Sequence, residues 1–512
     1  MTRRAAKSTR ARRRPAARGA AARGASVPGA AAPGAARHPL PRDAVSLDLD
    51  GAAMRALTDR CTRFAIRHIE TLPRQPSWDT EGAIGLARSF REPAPEKGTP
   101  IGGLLRRLGA AVPKSFNTAG PGYMAYIPGG GIYPAALGDY LALSVNRFMN
   151  VWNAGPALAE IEAAAIDWLR ALVGFPEGSR GILTTGGSMS NFIAVLAARR
   201  ERLGEDFLDG VLYASRQTHH SVAKAAMLAG FAERNLRDLP VDERLRLRPE
   251  ALEEAVRADR ARGLRPFFAV ANAGTTNTGA IDPVPAVADI CARHGLWLHV
   301  DAAYGGFFRL APGGAALLPG LERADSLVLD PHKGLFLPYG TGCLLVRDPG
   351  TLKRAFQMRG GYLQDLAHVE DAVSFADLSP ELSREFRGLR LWLPLKLFGV
   401  AAFRDNLREK LALARWAWEE LRATPGFECL DEPQLSIVPF RYAPRRGDPE
   451  EFNRRLLQRV NDYRRVYLSS TTLDGRFVLR ICVLSFRTHG RQVATAVEDL
   501  RRAARELSDG PR

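Results

Sequence analysis

Short apolar runs and longer amphipathic stretches alternate along the middle of the chain. Six of the runs have the length of buried strands, and they lie at 181–185, 210–215, 266–273, 296–304, 326–330 and 342–348. The stretches between the earlier runs carry apolar residues at helical spacing. This alternation predicts an α/β fold with a parallel-dominated sheet and helices on both faces.

The same pattern predicts how the chain is divided. Before the alternation, helical stretches lead into a Gly/Pro-rich segment, and after it apolar runs at 435–442 and 476–483 alternate with helices. We therefore predict an N-terminal helical segment at 44–130, a large α/β domain at 131–392 and a small α+β domain at 393–512.

Residues 1–43 have a different composition from the rest. They contain eleven Arg or Lys residues and one acid, so they carry most of the formal net charge of +17. They lack hydrophobic periodicity, which predicts a disordered basic tail. Their charge would suit a nucleic-acid-binding arm, but no aromatic residue stands among the arginines as a stacking platform. We expect no nucleic-acid partner.

Composition excludes several classes of protein. Hydrophobic residues make up 46% of the 512 residues and charged residues 25%, which is typical of a globular chain with a core. No apolar run reaches the roughly 18 residues of a membrane-spanning helix, so a membrane protein is not expected. Five scattered cysteines without a CxxC pair indicate neither a disulfide framework nor a metal site, and they favour a cytoplasmic location.

Lys333 is the first candidate for chemistry. It lies between the apolar run at 326–330 and a stretch that contains glycines, whereas the other seven lysines lie in the tail, in polar loops or in helical stretches. A lysine at the end of a core strand is costly unless it is paired or covalently used. The alternatives are an ordinary loop lysine and a Schiff-base lysine with a lowered pKa.

Asp301 ends another apolar strand, 32 residues before Lys333. An acid at the carboxyl end of a strand points into the crevice where open α/β sheets bind ligands. It would pair with the protonated ring nitrogen of pyridoxal phosphate, and the small Ala303 would leave room for the flat ring. The alternative is a helix cap.

A glycine turn at the end of the first run offers an anion site. Gly187 and Ser188 open a helix there, and free backbone N–H groups at a helix start bind a phosphate group. The turn matches neither a dinucleotide nor a triphosphate motif. Two further pieces follow strands, namely His219, whose ring could stack on a cofactor, and Thr276, a hydroxyl donor. Each piece alone has a structural explanation, and their order and spacing carry the hypothesis.

The combined pattern resembles the group II pyridoxal-phosphate-dependent decarboxylases, and most closely the aromatic-amino-acid branch. The resemblance rests on DPHK at 330–333 and HVDAAYGG at 299–306, and it covers most of residues 50–507. It implies the aspartate-aminotransferase-like fold (fold type I) and a homodimer with a shared active site. It also implies pyridoxal 5'-phosphate as the cofactor and decarboxylation of an L-amino acid, aromatic type favoured, to an amine.

The resemblance also implies roles for individual residues. Lys333 would form the Schiff base, Asp301 would pair with the ring nitrogen, and His219 would stack on the ring. The full set of implied cofactor contacts is Gly187, Ser188, Met189, His219, Thr276, Asp301, Ala303, His332 and Lys333. A side-chain phosphate contact is in doubt at Met189, where the aromatic branch often has a hydroxyl.

Departures from the family concern the substrate and the product. Gly129, Phe148 and Asn150 fall where the substrate pocket is expected, and Gly129 and Asn150 replace a Thr and a Phe of the family. The family's catalytic loop is expected near 362–380, with Phe375 in the place of its tyrosine. We therefore predict a raised share of aldehyde product, with Tyr362 or His368 as substitute proton donors.

Rival interpretations remain open at this point. A decarboxylating aldehyde synthase would use the same fold. An aminotransferase or a desulfurase shares the lysine and the acid, but not the long match outside them. A nucleic-acid-binding protein would explain the basic tail, but not the core.

Overall fold

The computed structural model describes residues 46–358 and 372–509. The predicted tail at 1–43, and Tyr362 and His368, lie outside the described residues. The α-helices, labelled α1 to α15 in chain order, are Gly51–Thr71, Ala83–Arg88, Ile101–Ala111, Tyr133–Val145, Pro156–Leu172, Gly187–Arg202, Ser221–Leu228, Pro249–Ala261, Val284–His294, Gly314–Leu317, Pro331–Gly334, Thr351–Phe356, Gly388–Arg422, Pro449–Asp462 and Gly490–Asp509.

Eleven strands lie within the described residues and form two sheets. The strands, labelled β1 to β11, are Arg180–Thr184, Gly210–Ser215, Leu236–Leu239, Arg265–Asn272, Trp297–Asp301, Ser326–Leu329, Gly342–Val346, Phe427–Cys429, Ile437–Tyr442, Ser469–Leu473 and Arg476–Cys482. All six runs singled out in the sequence contain a strand of the first sheet.

The first sheet has seven strands in the order β1-β7-β6-β5-β4-β2-β3. Strands β3, β2, β4, β5 and β6 are parallel, and β7 runs antiparallel to both of its neighbours. The strand interiors are buried on both faces, as apolar runs without alternation predict for a sheet covered by helices. The predicted α/β sheet is therefore confirmed.

The register of this sheet brings distant parts of the chain to one edge. Asn272 at the end of β4 is paired with Asp301 at the end of β5, and Asp301 is paired with Val328 of β6. Strand β1 runs in the same direction as β6, because both are antiparallel to β7. The loops after β1, β2, β4, β5 and β6 consequently meet at the carboxyl edge, where open α/β sheets bind ligands.

The second sheet lies in the C-terminal region and is antiparallel, in the order β10-β11-β9-β8. One core cluster joins buried residues of these strands to those of α14, α15 and the second half of α13, among them Leu421, Phe440, Val460 and Leu500. An α+β arrangement in this region agrees with the sequence pattern. The domain boundaries at 130 and 392 remain predictions. The second of them falls inside α13, four residues after its start at Gly388.

Membrane-spanning helices and clusters of metal ligands are both absent from residues 46–358 and 372–509. Among those residues, no helix has both the length and the apolar character needed to cross a membrane. The same ranges contain no group of three or more His, Cys, Asp or Glu side chains arranged to hold a metal ion.

Candidate active site

A cavity of about 360 Å³ opens at the carboxyl edge of the large sheet. Its size falls in the usual range for small-molecule sites. The nine residues predicted to contact the cofactor all line it, and they are Gly187, Ser188, Met189, His219, Thr276, Asp301, Ala303, His332 and Lys333. The structure thus brings together every member of the predicted cofactor set.

Lys333 lies on α11, the single helical turn that follows β6. Its Nζ atom is 3.0 Å from Oδ2 of Asp330, and its side chain is one-fifth exposed. The second carboxylate oxygen of Asp330, Oδ1, is buried and has no hydrogen-bond partner. A buried acceptor without a partner is rare in folded proteins and indicates a group that is missing from the cavity.

Asp301 ends β5, and its side chain faces the cavity from that strand. Its Oδ1 atom accepts the backbone N–H of Ala303 at 3.1 Å, and its Oδ2 atom accepts Nδ2 of Asn191 at 3.0 Å. Both contacts donate to the carboxylate, so they fix its orientation at the end of the strand. A fixed carboxylate at this position can hold a cationic ring nitrogen.

His219 follows β2 and lies at the start of α7. Its Nδ1 atom is 2.8 Å from the hydroxyl of Ser221, and the backbone N–H of Ser221 also points to Nδ1, at 3.3 Å. Burial lowers the pKa of His219, and this effect outweighs the nearby carboxylate of Asp301, which raises it. The imidazole is therefore neutral at pH 7, with Nδ1 accepting hydrogen bonds.

The glycine turn after β1 lies where the sequence placed a phosphate site. Gly186 has a φ of 141°, which L side chains rarely adopt, and α6 begins at Gly187. A Cβ atom on Gly187 would stand 3.0 Å from Oδ2 of Asp330 and 3.3 Å from Cβ of Ala303. The backbone of the first turn of α6 thus approaches the cavity closely, with amide groups that need an acceptor from outside the helix.

Two cavity residues are held mainly through the backbone. His332 is fixed by its Nδ1–H, which donates to the carbonyl of Thr341 at 2.6 Å. The carbonyl of Thr276 accepts Nη2 of the buried Arg480 at 2.5 Å, which ties the cavity wall to the C-terminal sheet.

Comparison with known proteins agrees with this geometry. Residues 86–443 match the family model described as the pyridoxal-dependent decarboxylase conserved domain. The chain belongs to the pyridoxal-dependent decarboxylase family. It is a pyridoxal-phosphate-dependent carboxy-lyase.

Three relatives show how far the likeness extends. An aromatic-L-amino-acid decarboxylase of Bacillus atrophaeus is 36% identical over 469 residues, which are 90% of this chain and 98% of that protein. A phenylacetaldehyde synthase of Petunia hybrida is 31% identical over 422 residues, 78% of this chain and 83% of that one. The crystal structure of Oryza sativa TDC with PLP and tryptamine covers 91% of this chain and 100% of its own, with a TM-score of 0.86 and 29% identity. Fold type I is therefore confirmed.

The cavity of the decarboxylase fits pyridoxal phosphate. Its donor set provides an amine at Lys333, a hydrogen-bonded carboxylate at Asp301, a helix N-terminus at Gly187 and an imidazole at His219. These are the groups that an aldehyde, a pyridine nitrogen, a phosphate and an aromatic face require. The unpartnered Oδ1 atom of Asp330 is a further polar contact that the protein alone leaves unused.

The structure places the predicted catalytic residue Phe375 elsewhere. Its side chain is fully buried in the main core of the decarboxylase, and it does not line the cavity. The guanidinium of Arg384 lies 4.9 Å from its ring centroid. Phe375 therefore lies outside the cavity of its own chain, and its catalytic role stays a prediction.

Three residues predicted to contact substrate also lie outside the cavity lining. Asn150 is buried, its Nδ2 atom donates to the carbonyl of Arg384 at 2.9 Å, and its backbone carbonyl accepts the N–H of Ala376. Phe148 is exposed. Gly129 packs so closely against α11 that a Cβ atom on it would stand 1.9 Å from the carbonyl oxygen of His332. Gly129 is thus required by backbone packing next to Lys333.

Asn150, Phe375, Arg384 and Glu162 form one group, which we call the Arg384 cluster. The guanidinium of Arg384 is ion-paired with the carboxylate of Glu162, and both side chains are completely buried. The second carboxylate oxygen of Glu162 accepts the N–H of Gly388 at 2.8 Å, at the start of α13. The cluster joins α5 to the segment before α13 and has a structural role.

Sequence reasoning missed two residues of the site. Asp330 stands inside the DPHK motif, of which only the lysine and the histidine were predicted to contact the cofactor. Asn191 lies four residues after Gly187, one helical turn along α6, so it faces the same side of the helix. A polar residue on the buried face of a helix that starts at a glycine turn was the available signal.

Proposed function

We propose that this decarboxylase converts an aromatic L-amino acid to the corresponding amine and carbon dioxide. The observation that carries the proposal is that Lys333, Asp301 and the first turn of α6 line one cavity. The relative named as an aromatic-L-amino-acid decarboxylase, aligned over nearly its whole length, supports the aromatic substrate class.

Each residue of the cavity has a defined task in this proposal. When bound, pyridoxal phosphate supplies an electron sink for the bond that breaks at the substrate Cα. Lys333 would hold the cofactor through Nζ, and Asp301 would keep a proton on the ring nitrogen. The amides of Gly187 and Ser188 would hold the phosphate. Ala303 and His219 would cover the two faces of the ring.

Asp330 would orient the lysine. Its Oδ2 atom is 3.0 Å from Nζ of Lys333, so it holds the amine at the cavity wall. His332 lies beside this pair: its Nδ1–H donates to the carbonyl of Thr341, and its Nε2 atom is 3.7 Å from Oδ2 of Asp330.

The product is the second question. The relative named as a phenylacetaldehyde synthase makes the aldehyde the alternative product. Our argument for a raised aldehyde share depended on Phe375, whose side chain is buried in the core, so the amine is the product we propose. Tyr362 and His368 stay predictions, because both lie outside the described residues.

The experiment for this proposal is a panel of aromatic, acidic and aliphatic L-amino acids incubated with the holoenzyme under air. Carbon dioxide, amine, aldehyde, ammonia and hydrogen peroxide are measured together. The proposal expects stoichiometric amine and carbon dioxide with an aromatic substrate. Peroxide and ammonia equal to carbon dioxide would establish the aldehyde synthase instead.

We also propose that the chain is a homodimer. Helix α4 and the adjoining segment expose a row of large apolar side chains, and α13, which packs against α4, exposes Leu397 and Phe398 beside them. The row consists of Tyr140, Leu141, Leu143, Val145 and Phe148. Large apolar side chains exposed in this number are typical of a protein interface.

A second copy packed on this patch would complete the substrate side of the active site. Phe148 is exposed and lies outside the cavity of its own chain, which fits a role in the partner's cavity. Sedimentation of the wild type and of Leu143→Glu tests the interface, and the variant is expected to be monomeric.

The location of the protein and the role of its tail are further proposals. All five cysteines are free thiols, which suits a reducing compartment and supports a cytoplasmic location.

The basic tail at 1–43 is proposed to take no part in catalysis, and a variant without it is expected to keep its activity.

A further inference from the structure

A chain of buried hydrogen bonds connects the cavity to the interior of the large sheet. Nε1 of Trp297 donates to the hydroxyl of Ser326 at 2.8 Å, and that hydroxyl lies 2.7 Å from Nδ1 of His299. Nε2 of His299 lies 2.9 Å from Oδ1 of Asn191, whose Nδ2 atom reaches Oδ2 of Asp301. None of these side chains is more than a tenth exposed.

Asn191 is the branch point of the chain. Its Nδ2 group carries two hydrogens, and it donates one to Asp301 and the other to the hydroxyl of Ser221, at 2.8 Å. The same hydroxyl of Ser221 lies 2.8 Å from Nδ1 of His219. The amide of Asn191 therefore contacts Asp301, which is proposed to pair with the ring nitrogen of the cofactor. Through the hydroxyl of Ser221 it is also connected to His219, which is proposed to cover the ring face.

The direction of every bond in the chain follows from its two ends. An amide oxygen can only accept, so Nε2 of His299 carries the hydrogen that reaches Asn191. In a neutral ring Nδ1 is then an acceptor, so the hydroxyl of Ser326 accepts from the indole N–H of Trp297 and donates its own hydrogen to Nδ1 of His299. Burial lowers the pKa of His299 to about 4, which agrees with a neutral ring.

The opposite orientation of the Asn191 amide is excluded by the same reasoning. It would place the amide oxygen against Oδ2 of Asp301, where two acceptors would face each other without a hydrogen between them. It would also leave the hydroxyl of Ser221 without its N–H donor. In this arrangement both oxygens of Asp301 accept hydrogen bonds, and the hydroxyl of Ser221 is free to donate to Nδ1 of His219.

We infer that Asn191 is the positioning residue of this active site, which holds the carboxylate of Asp301 in one orientation as an acceptor and supports the Nε2–H tautomer of His219 at the same time. The inference rests on the proposed role of Asp301 as the partner of the cofactor's ring nitrogen. His299, Ser326 and Trp297 act behind Asn191 and hold its amide in one orientation. Hydrogen-bond partners of this kind behind a ligand-binding side chain are commonly worth roughly 10- to 100-fold in affinity or activity.

The first test measures the protein without cofactor. Histidine-selective ¹⁵N labelling reports which ring nitrogen carries the hydrogen, and His219→Gln and His299→Gln assign the two signals. Both rings are expected as neutral Nε2–H tautomers at about pH 8, and Asn191→Leu should change the His299 signals. A wild-type His299 with its hydrogen on Nδ1 would overturn the inferred direction of the chain.

The second test measures the affinity of the apoprotein for pyridoxal phosphate. Asn191→Leu is expected to weaken binding by roughly 10- to 100-fold. Asn453→Leu is the matched control, because Asn453 is equally buried and bonds backbone groups of Tyr442, far along the chain in the C-terminal region. It should lose stability without a change in cofactor affinity.

A pH series separates positioning from packing. In Asn191→Asp the introduced carboxyl faces Asp301 at hydrogen-bond distance, so the two groups share a proton and the pair titrates at raised pKa. Affinity in this variant should recover as the pH falls from about 8 to about 6, because the protonated group donates to Asp301 again. The wild type and Asn191→Leu should lack this recovery.

The outcomes also distinguish the inference from the proposed function. If Asp301→Asn loses cofactor affinity while Asn191→Leu keeps it within about twofold, the role of Asn191 is wrong and the function stands. If Asp301→Asn itself keeps its affinity, the proposed assignment of Asp301 is wrong. Should Asn191→Leu fail to fold, a pH-independent affinity in Asn191→Asp overturns the inference.

Discussion

The carboxyl edge of the large sheet and the Arg384 cluster are both rich in buried polar groups, yet they differ in what those groups face. At the sheet edge Asp301, Asp330 and Lys333 turn toward a cavity, and Oδ1 of Asp330 has no partner. In the Arg384 cluster the charge of Arg384 is met by Glu162 inside packed core, although its Nε and Nη1 atoms have no hydrogen-bond partner. The two regions therefore differ in the cavity: the polar groups of the sheet edge line it, and Arg384 and Glu162 do not.

The largest expected effect is at Lys333. Lys333→Ala removes the amine that would hold the cofactor, so decarboxylation should fall by at least about 10³-fold. The fold should persist, because the side chain is partly exposed to the cavity. Carbon dioxide release and the absorbance of the bound cofactor are the measurements.

The matched control for that variant is Lys410→Met. Lys410 is fully buried, and its Nζ atom donates to the carbonyl of Thr488 and to Glu409, outside the cavity. It should lose thermal stability and keep its cofactor. Equal loss of cofactor from both variants would show that Lys333 has no special role.

Asp301→Asn should have the next largest effect. The new amide brings hydrogens to a position that already receives the N–H of Ala303 and Nδ2 of Asn191, so it cannot hold a cationic ring nitrogen. We expect kcat to fall by roughly 10²- to 10³-fold and the Kd for pyridoxal phosphate to rise.

Asp325→Asn is the matched control, because Asp325 lies at the opposite end of β5 and β6 from Asp301. The Oδ2 atom of Asp325 accepts the backbone N–H of Leu298 at the amino end of β5. Its loss should lower the free energy of unfolding and leave cofactor binding as it is. Turnover of Asp301→Asn close to that of the wild type would contradict the account.

Glu162→Gln tests the other region. It leaves Arg384 buried without its counter-charge, so the free energy of unfolding should fall by about 3–5 kcal/mol. Activity per folded molecule should stay near the wild-type value. Urea unfolding measures the first quantity and active-site titration the second, with the exposed Glu177→Gln as control.

Loss of activity in Glu162→Gln without loss of stability would break the comparison. It would show that the Arg384 cluster acts in catalysis, despite being closed from the cavity.

The smallest effect is expected at Phe375. Phe375→Tyr brings a hydroxyl into the core and should lower the free energy of unfolding by about 1–3 kcal/mol. The ratio of peroxide to amine should not change, because the ring does not reach the cavity. Phe440→Tyr, at a fully buried ring of the C-terminal sheet, should lose a similar amount. A lower peroxide share in Phe375→Tyr alone would restore its catalytic role.

Sequence reasoning succeeded where strand ends determine position. Asp301, Lys333 and Gly187 each lie at or just after the end of an apolar run. Because parallel strands have their carboxyl ends at the same edge of a sheet, the three residues must lie near one another. The convergence of these three residues on one cavity could be predicted for this reason, whereas the full set of nine came from the family resemblance.

Sequence reasoning does not reach positions that depend on tertiary contacts. Phe375 and Asn150 were assigned by where they fall in the family resemblance, and the structure shows that both contact Arg384, Phe375 through a cation–π contact and Asn150 through a hydrogen bond. Nothing local in the sequence announces these contacts. Asn191 was missed because a single asparagine on a helix acquires its role from His299 and Asp301, both more than one hundred residues away.

The most direct test of the central claim is borohydride reduction of the holoenzyme followed by peptide mapping. The account predicts that the reduced cofactor is attached at Lys333, in the peptide that contains DPHKG. Attachment at any other lysine, or no attachment at all, would contradict it.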